Sequence, residues 1–316
     1  MTAASSFFLA YAAIFALAVG FYPALSLGPR VRLAALWLFA AGIAMMPLLV
    51  PADAPSVRFM VAILAVCFVL KLIDLHLGAL RGLRVGFRPF LAFLCNLLQG
   101  VQRRTGCERQ PSGRENARDF LVGLVGMVLA LGLLKWAGRV DWSARSFLLE
   151  HTVRASAFFI AVLFSWRLLA ALMHVAGVYT VNPNKSPFLA RTPADFWRRY
   201  NRWMGQFLHE DVFKPLGGRR HPVRATLLVF AVSGLLHEYC FGVAIGRVQG
   251  YQTAFFLLQG VAVALTLRVK PAGLAALAWG SGTLVFNLLS SLFFFASMQG
   301  LGPLYSAGLP AWFPAW

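Results

Sequence analysis

Two polar residues in apolar or aromatic surroundings are the first candidates for chemistry in this chain. His237 lies with Glu238 in the apolar run 224–246, and Asn201 lies 36 residues earlier in a segment rich in aromatic and basic residues. Ionisable side chains inside an apolar run are costly and are functional candidates by default. An imidazole titrates near neutral pH, so His237 predicts a general base, whereas the Asn201 amide predicts a hydrogen bond to a carbonyl or a hydroxyl group.

The segment around Asn201 predicts one amphipathic helix from 193 to 209. Thr192 is a suitable N-cap, and Pro193 suits the first helical position. Helical spacing puts the aromatic side chains and Asn201 on one arc and the arginines on the other. An amide in an apolar arc needs a hydrogen-bonding partner, so Asn201 either ties down a neighbouring backbone carbonyl or faces a substrate.

The surroundings of His237 allow two interpretations. Ser233 shares its helical face, which is therefore small enough for a ligand or for another helix to approach. The alternative to a general base is a histidine that only packs between helices. Glu238 is expected to orient His237 or to pair with the cation of Arg167.

The composition excludes a soluble enzyme. Of the 316 residues 59% are hydrophobic and 13% are charged, which is about half the charge of a soluble domain.

Lys71 and Asp74, one turn apart within a span, are expected to neutralise each other. Segment 87–101 is too short to cross and predicts an interfacial or re-entrant helix. Eight windows qualify as transmembrane helices: 6–27, 32–50, 57–77, 119–138, 155–178, 224–246, 252–268 and 275–299.

The predicted fold class is therefore an all-α polytopic membrane protein with about eight transmembrane helices plus amphipathic or re-entrant helices. No repeat or linker divides the chain, so a single domain over 1–316 is expected. The four cysteines are scattered and predict free thiols, and no metal site is predicted.

The charge of +18 is explained mainly by topology. Twenty of the 29 basic residues fall in loops 28–32, 78–118, 179–223 and 268–270, against five on the other side. The positive-inside rule puts these loops in the cytoplasm and both termini on the far side. We expect residence in the cytoplasmic (inner) membrane of a bacterium and no nucleic-acid partner.

Three motifs resemble the membrane-bound O-acyltransferase (MBOAT) superfamily: FWRRYN at 196–201, VFKPLGG at 212–218 and SGLLHE at 233–238. The resemblance implies an MBOAT-like fold, with the motif region at 192–240, and an essential pair at Asn201 and His237. Trp197, Ser233 and Glu238 fall in the same motifs as supporting residues.

The resemblance also implies the substrates. The SGLLHE form and the compact length are similar to the wax synthase branch, which predicts acyl-CoA as co-substrate, a long-chain or other lipid alcohol as acceptor, and no bound cofactor. VFKPLGG is more similar to polysaccharide O-acetyltransferases, so a glycan acceptor stays open, as does a transporter or lipid flippase. The CoA phosphates would meet basic side chains that alternatively form a solvated surface facing lipid headgroups: Arg198, Arg199, Arg202, Lys214, Arg219 and Arg220.

The predicted topology is testable by cysteine labelling. A cysteine placed within 110–114 is expected to react with a membrane-impermeant maleimide only after the cytoplasmic side is opened, because loop 78–118 is predicted to be cytoplasmic. Labelling of intact cells at this position would contradict the orientation.

Overall fold

The computed structural model describes residues 2–104, 109–178 and 180–314, and within these ranges the regular structure is helical throughout. The helices follow each other as α1 Ala3–Gly20, α2 Pro29–Met45, α3 Pro55–Leu80, α4 Phe87–Cys95, α5 Gly113–Ala137, α6 Phe147–Val175, α7 Pro193–Arg199, α8 Arg202–Phe207, α9 Pro222–Ile245, α10 Tyr251–Thr266 and α11 Gly273–Met298. A π-helical turn, Leu208–Phe213, continues α8.

Seven of the described helices are long and apolar enough to cross a membrane: α1, α2, α3, α5, α6, α9 and α11. The eighth predicted span is the shorter helix α10, whose 16 residues extend about 24 Å, against about 30 Å of hydrocarbon. Large apolar side chains such as Leu38 and Leu129 are exposed on the outer surface, as lipid contact requires. An all-helical, polytopic integral membrane protein is therefore confirmed.

Helices α5 and α6 begin six and eight residues earlier than the hydropathy predicted, because their polar first turns are satisfied internally. α5 begins at Gly113 behind a capping box in which Ser112 and Glu115 bond each other's backbone amides. α6 begins at Phe147, and Glu150 and Arg154 in its first two turns form a buried ion pair at 2.8 Å. Paired charges of this kind are compatible with a position inside the protein.

The helices form a connected row in which α3 packs on α9, α9 on α10, α10 on α11 and α11 on α6, with α1 and α2 against α3 and α5 against α6. α9 and α10 approach closely because glycine occupies the contact. A Cβ on Gly260 would lie 2.7 Å from the Cβ of Phe230, and one on Gly234 would lie 3.1 Å from the Cα of Thr253. The small residues thus set the spacing of the helices that surround the site.

One end of the bundle carries most of the basic loops, and we call it the basic face. Contacts between these loops define it: Arg103 joins Asp211 at 2.6 Å, and the Ala194 amide donates to Thr266 Oγ1 at 3.2 Å. Cys67, Cys95 and Cys240 are free thiols as predicted, whereas Cys107 lies outside the described residues.

Lys71 does not pair with Asp74, so that prediction was wrong. The ammonium group, 1% exposed, donates instead to the backbone carbonyls of Phe93, Asn96 and Gln99 at 2.6, 2.7 and 2.8 Å. These carbonyls lie in the last turn of α4 and just after it, where the predicted short helix stops at Cys95 and the chain turns irregularly through the interior. A buried irregular backbone needs hydrogen-bond donors, and Lys71 supplies three from one atom.

Asp74 anchors the next stretch of the same segment. Its carboxylate accepts hydrogen bonds from the backbone amide of Gln102 at 2.7 Å and from the Arg103 guanidinium at 2.6 Å. Because Arg103 also reaches Asp211, α3 is tied to the π-helical turn of the basic face. Two ionisable residues one turn apart in α3 thus hold residues 93–103, which we call the platform, against the bundle.

We expect Lys71→Met to destabilise the protein strongly. The change removes the charged donor that these three buried carbonyls share. Hydrogen bonds to a charged group contribute about 1.5–3 kcal/mol, which corresponds to a fall in Tm on the order of 5 °C or more. Thermal unfolding in detergent, followed by size-exclusion chromatography, measures the effect. Lys135→Met, at an exposed position of α5, is the matched control and should leave Tm nearly unchanged. Equal Tm values for both variants would contradict the role given to Lys71.

Candidate active site

The predicted helix 193–209 is interrupted at Tyr200 and Asn201, so the prediction of one continuous helix was wrong. Its start is as predicted, with Thr192 Oγ1 accepting from the Asp195 amide at 3.1 Å. The interruption comes from residues 183–185, which we call the clamp. The Arg202 amide donates to the Pro183 carbonyl and the Lys185 amide donates to the Arg199 carbonyl, both at 2.8 Å. These bonds replace the ones that a continuous helix would make.

Asn201 adopts a left-handed backbone conformation at the junction of α7 and α8, with φ 46° and ψ 52°. Asparagine tolerates this region better than most residues. Its backbone amide donates to Asn184 Oδ1 at 3.0 Å. Its own side-chain Oδ1 is buried without a hydrogen-bond partner among the described residues.

His237 lies in the middle of α9 with one ring nitrogen engaged. Nδ1 is 2.8 Å from the backbone oxygen of Ser233. A carbonyl oxygen can only accept, so Nδ1 carries the proton and Nε2 presents its lone pair. The ring packs against Phe256, with centroids 4.3 Å apart, and more loosely against Phe294 at 6.3 Å. This is the tautomer that a general base needs.

Glu238 neither orients His237 nor pairs with Arg167, which corrects both predictions for it. Its carboxylate is 6% exposed and accepts from the backbone amides of Gln249, Gly250 and Thr253, at 2.9, 2.6 and 3.1 Å. It therefore caps the start of α10, where a negative charge is favourable. The cation of Arg167 pairs with Asp119 instead, at 2.5 Å.

A cavity of about 900 Å³ lies between α6, α9, α10 and α11, and α7 and α8 bound it at the basic face. Its lining is mainly apolar and aromatic, and it includes both His237 and Asn201, so the structure brings the two predicted residues to one space. The cavity is open in part, and its wall includes Leu284 and Val285 of α11, which are 42% and 55% exposed. Its volume is at the upper end for small-molecule sites.

The cavity wall also contains two side-chain amides that were not predicted as site residues, Gln259 on α10 and Asn287 on α11. Gln259 accepts from the indole N–H of Trp197 at 2.9 Å and donates to Asn287 Oδ1 at 3.3 Å. The supporting residue Trp197 is therefore part of a polar chain across the cavity wall. An uncharged amide within an apolar window was the available signal, but hydropathy and charge alone do not single it out.

The basic residues predicted to bind phosphate divide into two groups. Arg198 and Arg202 line the cavity, with Arg198 3.4 Å from Asp195. The cavity lining does not include the other four, of which Arg199 pairs with Asp195, Lys214 pairs with Glu210, and two are exposed on the basic face: Arg219 and Arg220. Arg104, which directly follows the platform, also lines the cavity and was not among the predicted phosphate ligands.

Glu210 stays charged at the edge of the cavity. Burial raises the pKa of its carboxyl group, but hydrogen bonds from Lys214 at 2.8 Å and from Arg104 outweigh burial and hold the pKa at about 2. Lys214 is therefore engaged in an ion pair on the protein itself. This makes it a weaker phosphate ligand than the sequence suggested.

These features define a polytopic membrane protein with a histidine in a mainly apolar cavity between its helices. Residues 139–299, about half of the chain, match the MBOAT, membrane-bound O-acyltransferase family. The chain belongs to this family, which indicates membrane-bound acyltransferase activity with an acyl donor and an acceptor. No relative among the curated proteins matches the chain.

The two roles of Asn201, in the backbone and in the side chain, are separable by substitution. Asn201→Gly keeps the left-handed backbone at no steric cost, whereas Asn201→Ala strains it by about 1 kcal/mol. We expect Tm to fall only for Asn201→Ala, and acyl transfer to fall similarly for both variants because both lack the amide. Measurements of Tm and of the transfer rate check this. Full activity in Asn201→Gly would mean that only the backbone conformation matters.

Proposed function

We propose that the protein transfers a fatty acyl group from acyl-CoA to the hydroxyl group of a lipid alcohol, with His237 as general base. The observation that carries this proposal is an imidazole whose Nδ1 is bonded to a backbone carbonyl and which lines a mainly apolar cavity in a chain of the acyltransferase family. Ser233 contributes through its carbonyl group, which holds the proton on Nδ1.

In the proposed reaction His237 Nε2 takes the hydroxyl proton while the alcohol oxygen attacks the thioester carbonyl carbon. The carbon–sulfur bond then breaks, the CoA thiolate leaves, and the imidazolium returns the proton to the sulfur. The products are an ester and free CoA, and no covalent enzyme intermediate is needed. General base catalysis of this kind contributes about 10²–10⁴ to the rate.

Asn201 is proposed to position a substrate from the basic-face side of the cavity. Its unpartnered Oδ1 is an acceptor, so the substrate atom that it meets carries a hydrogen: the hydroxyl group of the acceptor or an amide of the pantetheine arm. Burying an acceptor without a partner is unfavourable, and substrate binding would relieve that cost.

The acyl donor is proposed to enter from the basic face, which we assign to the cytoplasmic side of a bacterial inner membrane. Arg198 and Arg202 line the cavity at this end, and Arg219 and Arg220 are exposed on the same face. Guanidinium groups suit the phosphates of CoA because they bind them in a bidentate way.

An apolar acceptor fits the cavity better than a glycan does. About half of the lining residues are phenylalanine, leucine or valine, and the exposed Leu284 and Val285 connect the cavity to the apolar surface of the bundle. An alkyl chain gains about 0.8 kcal/mol for each CH₂ group that it buries. A sugar would leave most of its hydroxyl groups without partners in such a space.

The proposal is tested with purified protein in lipid nanodiscs, supplied with labelled palmitoyl-CoA and, in competition, hexadecanol and an oligosaccharide. We expect hexadecyl palmitate as the main product, and a loss of about 10²–10⁴ in rate for His237→Ala.

His221→Ala is the matched control, because His221 is an exposed histidine at the start of the same helix. It should retain the wild-type rate. Preferential labelling of the oligosaccharide would refute the lipid acceptor, and near-normal turnover by folded His237→Ala would refute the mechanism.

A further inference from the structure

A chain of three polar side chains crosses the cavity wall between α7, α10 and α11. Trp197 Nε1 donates to Gln259 Oε1 at 2.9 Å, and Gln259 Nε2 donates to Asn287 Oδ1 at 3.3 Å and to Ser290 Oγ at 2.8 Å. Trp197, Gln259 and Asn287 all line the cavity, and Gln259 is 1% exposed. We call these three residues the amide chain.

Every group in the amide chain has a fixed direction. An indole N–H only donates, so it takes the oxygen of Gln259 and turns the Gln259 amino group toward α11. An amino group only donates, so it takes the oxygen of Asn287. The Ser290 hydroxyl uses its own proton on the Phe286 carbonyl at 2.7 Å and accepts from Gln259. Trp197 thereby determines which way the Asn287 amide faces.

One donor is left over at the end of the chain. Asn287 Nδ2 is buried and has no hydrogen-bond partner among the described residues. A buried donor without a partner is rare in folded proteins and costs stability. In a residue that lines a substrate cavity, an oxygen atom of the substrate is the natural partner.

The position of Asn287 Nδ2 relative to His237 indicates which oxygen atom of the substrate it meets. Gln259 lies one helical turn from Phe256, whose ring contacts the imidazole. Asn287 lies two turns from Phe294, the second ring near the imidazole. Both amides are displaced from the imidazole toward the basic face, by roughly 5–10 Å along the helices. A donor molecule that enters from the basic face passes Asn287 before its reacting carbon reaches His237.

We propose that Asn287 Nδ2 donates a hydrogen bond to the thioester carbonyl oxygen of the acyl donor, and that Gln259 and Trp197 are the positioning residues that fix this direction. The proposal deepens the proposed function and rests on it. The carbonyl oxygen gains negative charge when the alcohol oxygen attacks, and a donor that is already oriented stabilises that charge without reorganisation.

The test compares two ligands that differ only at the carbonyl group. Palmitoyl-CoA carries it, and S-hexadecyl-CoA, a thioether of the same length, has a CH₂ group in its place. Binding is measured by calorimetry in nanodiscs with the His237→Ala protein, which prevents turnover. Adding Asn287→Ala should weaken palmitoyl-CoA about five- to tenfold and change the thioether by less than twofold.

A second variant tests the orientation of the Asn287 amide, which the amide chain fixes, and not the presence of Asn287. Gln259→Glu keeps an oxygen for the Trp197 N–H but removes the donor to Asn287, so the Asn287 amide turns its amino group toward position 259. We expect the same selective loss of palmitoyl-CoA binding, although Asn287 itself is unchanged. This variant also decides the question where Asn287→Ala lowers the yield of folded protein.

The outcomes distinguish failure of the Asn287 contact from failure of the proposed acyltransfer function. Equal weakening of both ligands by Asn287→Ala, or unchanged binding of both, would overturn the carbonyl contact and leave the acyltransfer function standing. Failure of the His237→Ala parent to bind either ligand would refute acyl-CoA as the donor, and the Asn287 contact with it. A selective loss for palmitoyl-CoA in both variants supports the proposal.

Discussion

A single buried ammonium group holds together the part of the molecule on which the site is built. Inside a bilayer an irregular backbone segment is tolerated only where its carbonyl and amide groups find partners in the protein. Lys71 donates to three carbonyls at once, which stabilises the turn of residues 96–101 through the interior without helical structure. Trp203 and Phe207 of α8 pack on this platform, so the position of α8, and with it the left-handed turn at Asn201, depends on a charge contributed by α3.

The few polar groups of the apolar cavity have fixed orientations. The Ser233 carbonyl fixes the proton on one nitrogen of His237, and the indole of Trp197 fixes the orientation of two amides through Gln259. Each of these constraints begins at a group that can only donate or only accept. In the proposed reaction a substrate therefore meets a base, an acceptor and a donor that are already oriented before it binds. Such preorganisation distinguishes an active site from an apolar cavity without oriented polar groups.

Much of the architecture follows from local sequence, because spans, caps and motifs are short-range properties. The seven long helices, the N-cap at Thr192, and the placement of Asn201 and His237 in one cavity agree with expectation. The errors all concern partners distant in the chain. Helical spacing places Lys71 and Asp74 side by side, but each bonds to residues more than 20 positions away in the chain. Glu238 caps α10, which begins after the turn that ends its own helix. Helical periodicity likewise predicted no break at Asn201, since the clamp that causes it lies 16 or more residues earlier.

The exposed wall formed by Leu284 and Val285 has a consequence for how selectivity is measured. A substrate that arrives through such a wall is dissolved in the bilayer first, so its mole fraction in the lipid, and not its amount per litre of buffer, governs the rate. Each added CH₂ group shifts partitioning by about 0.8 kcal/mol, roughly fourfold. A preference for longer chains measured against bulk concentration would thus contain a contribution from the lipid phase, and only surface-dilution kinetics would isolate the preference of the protein itself.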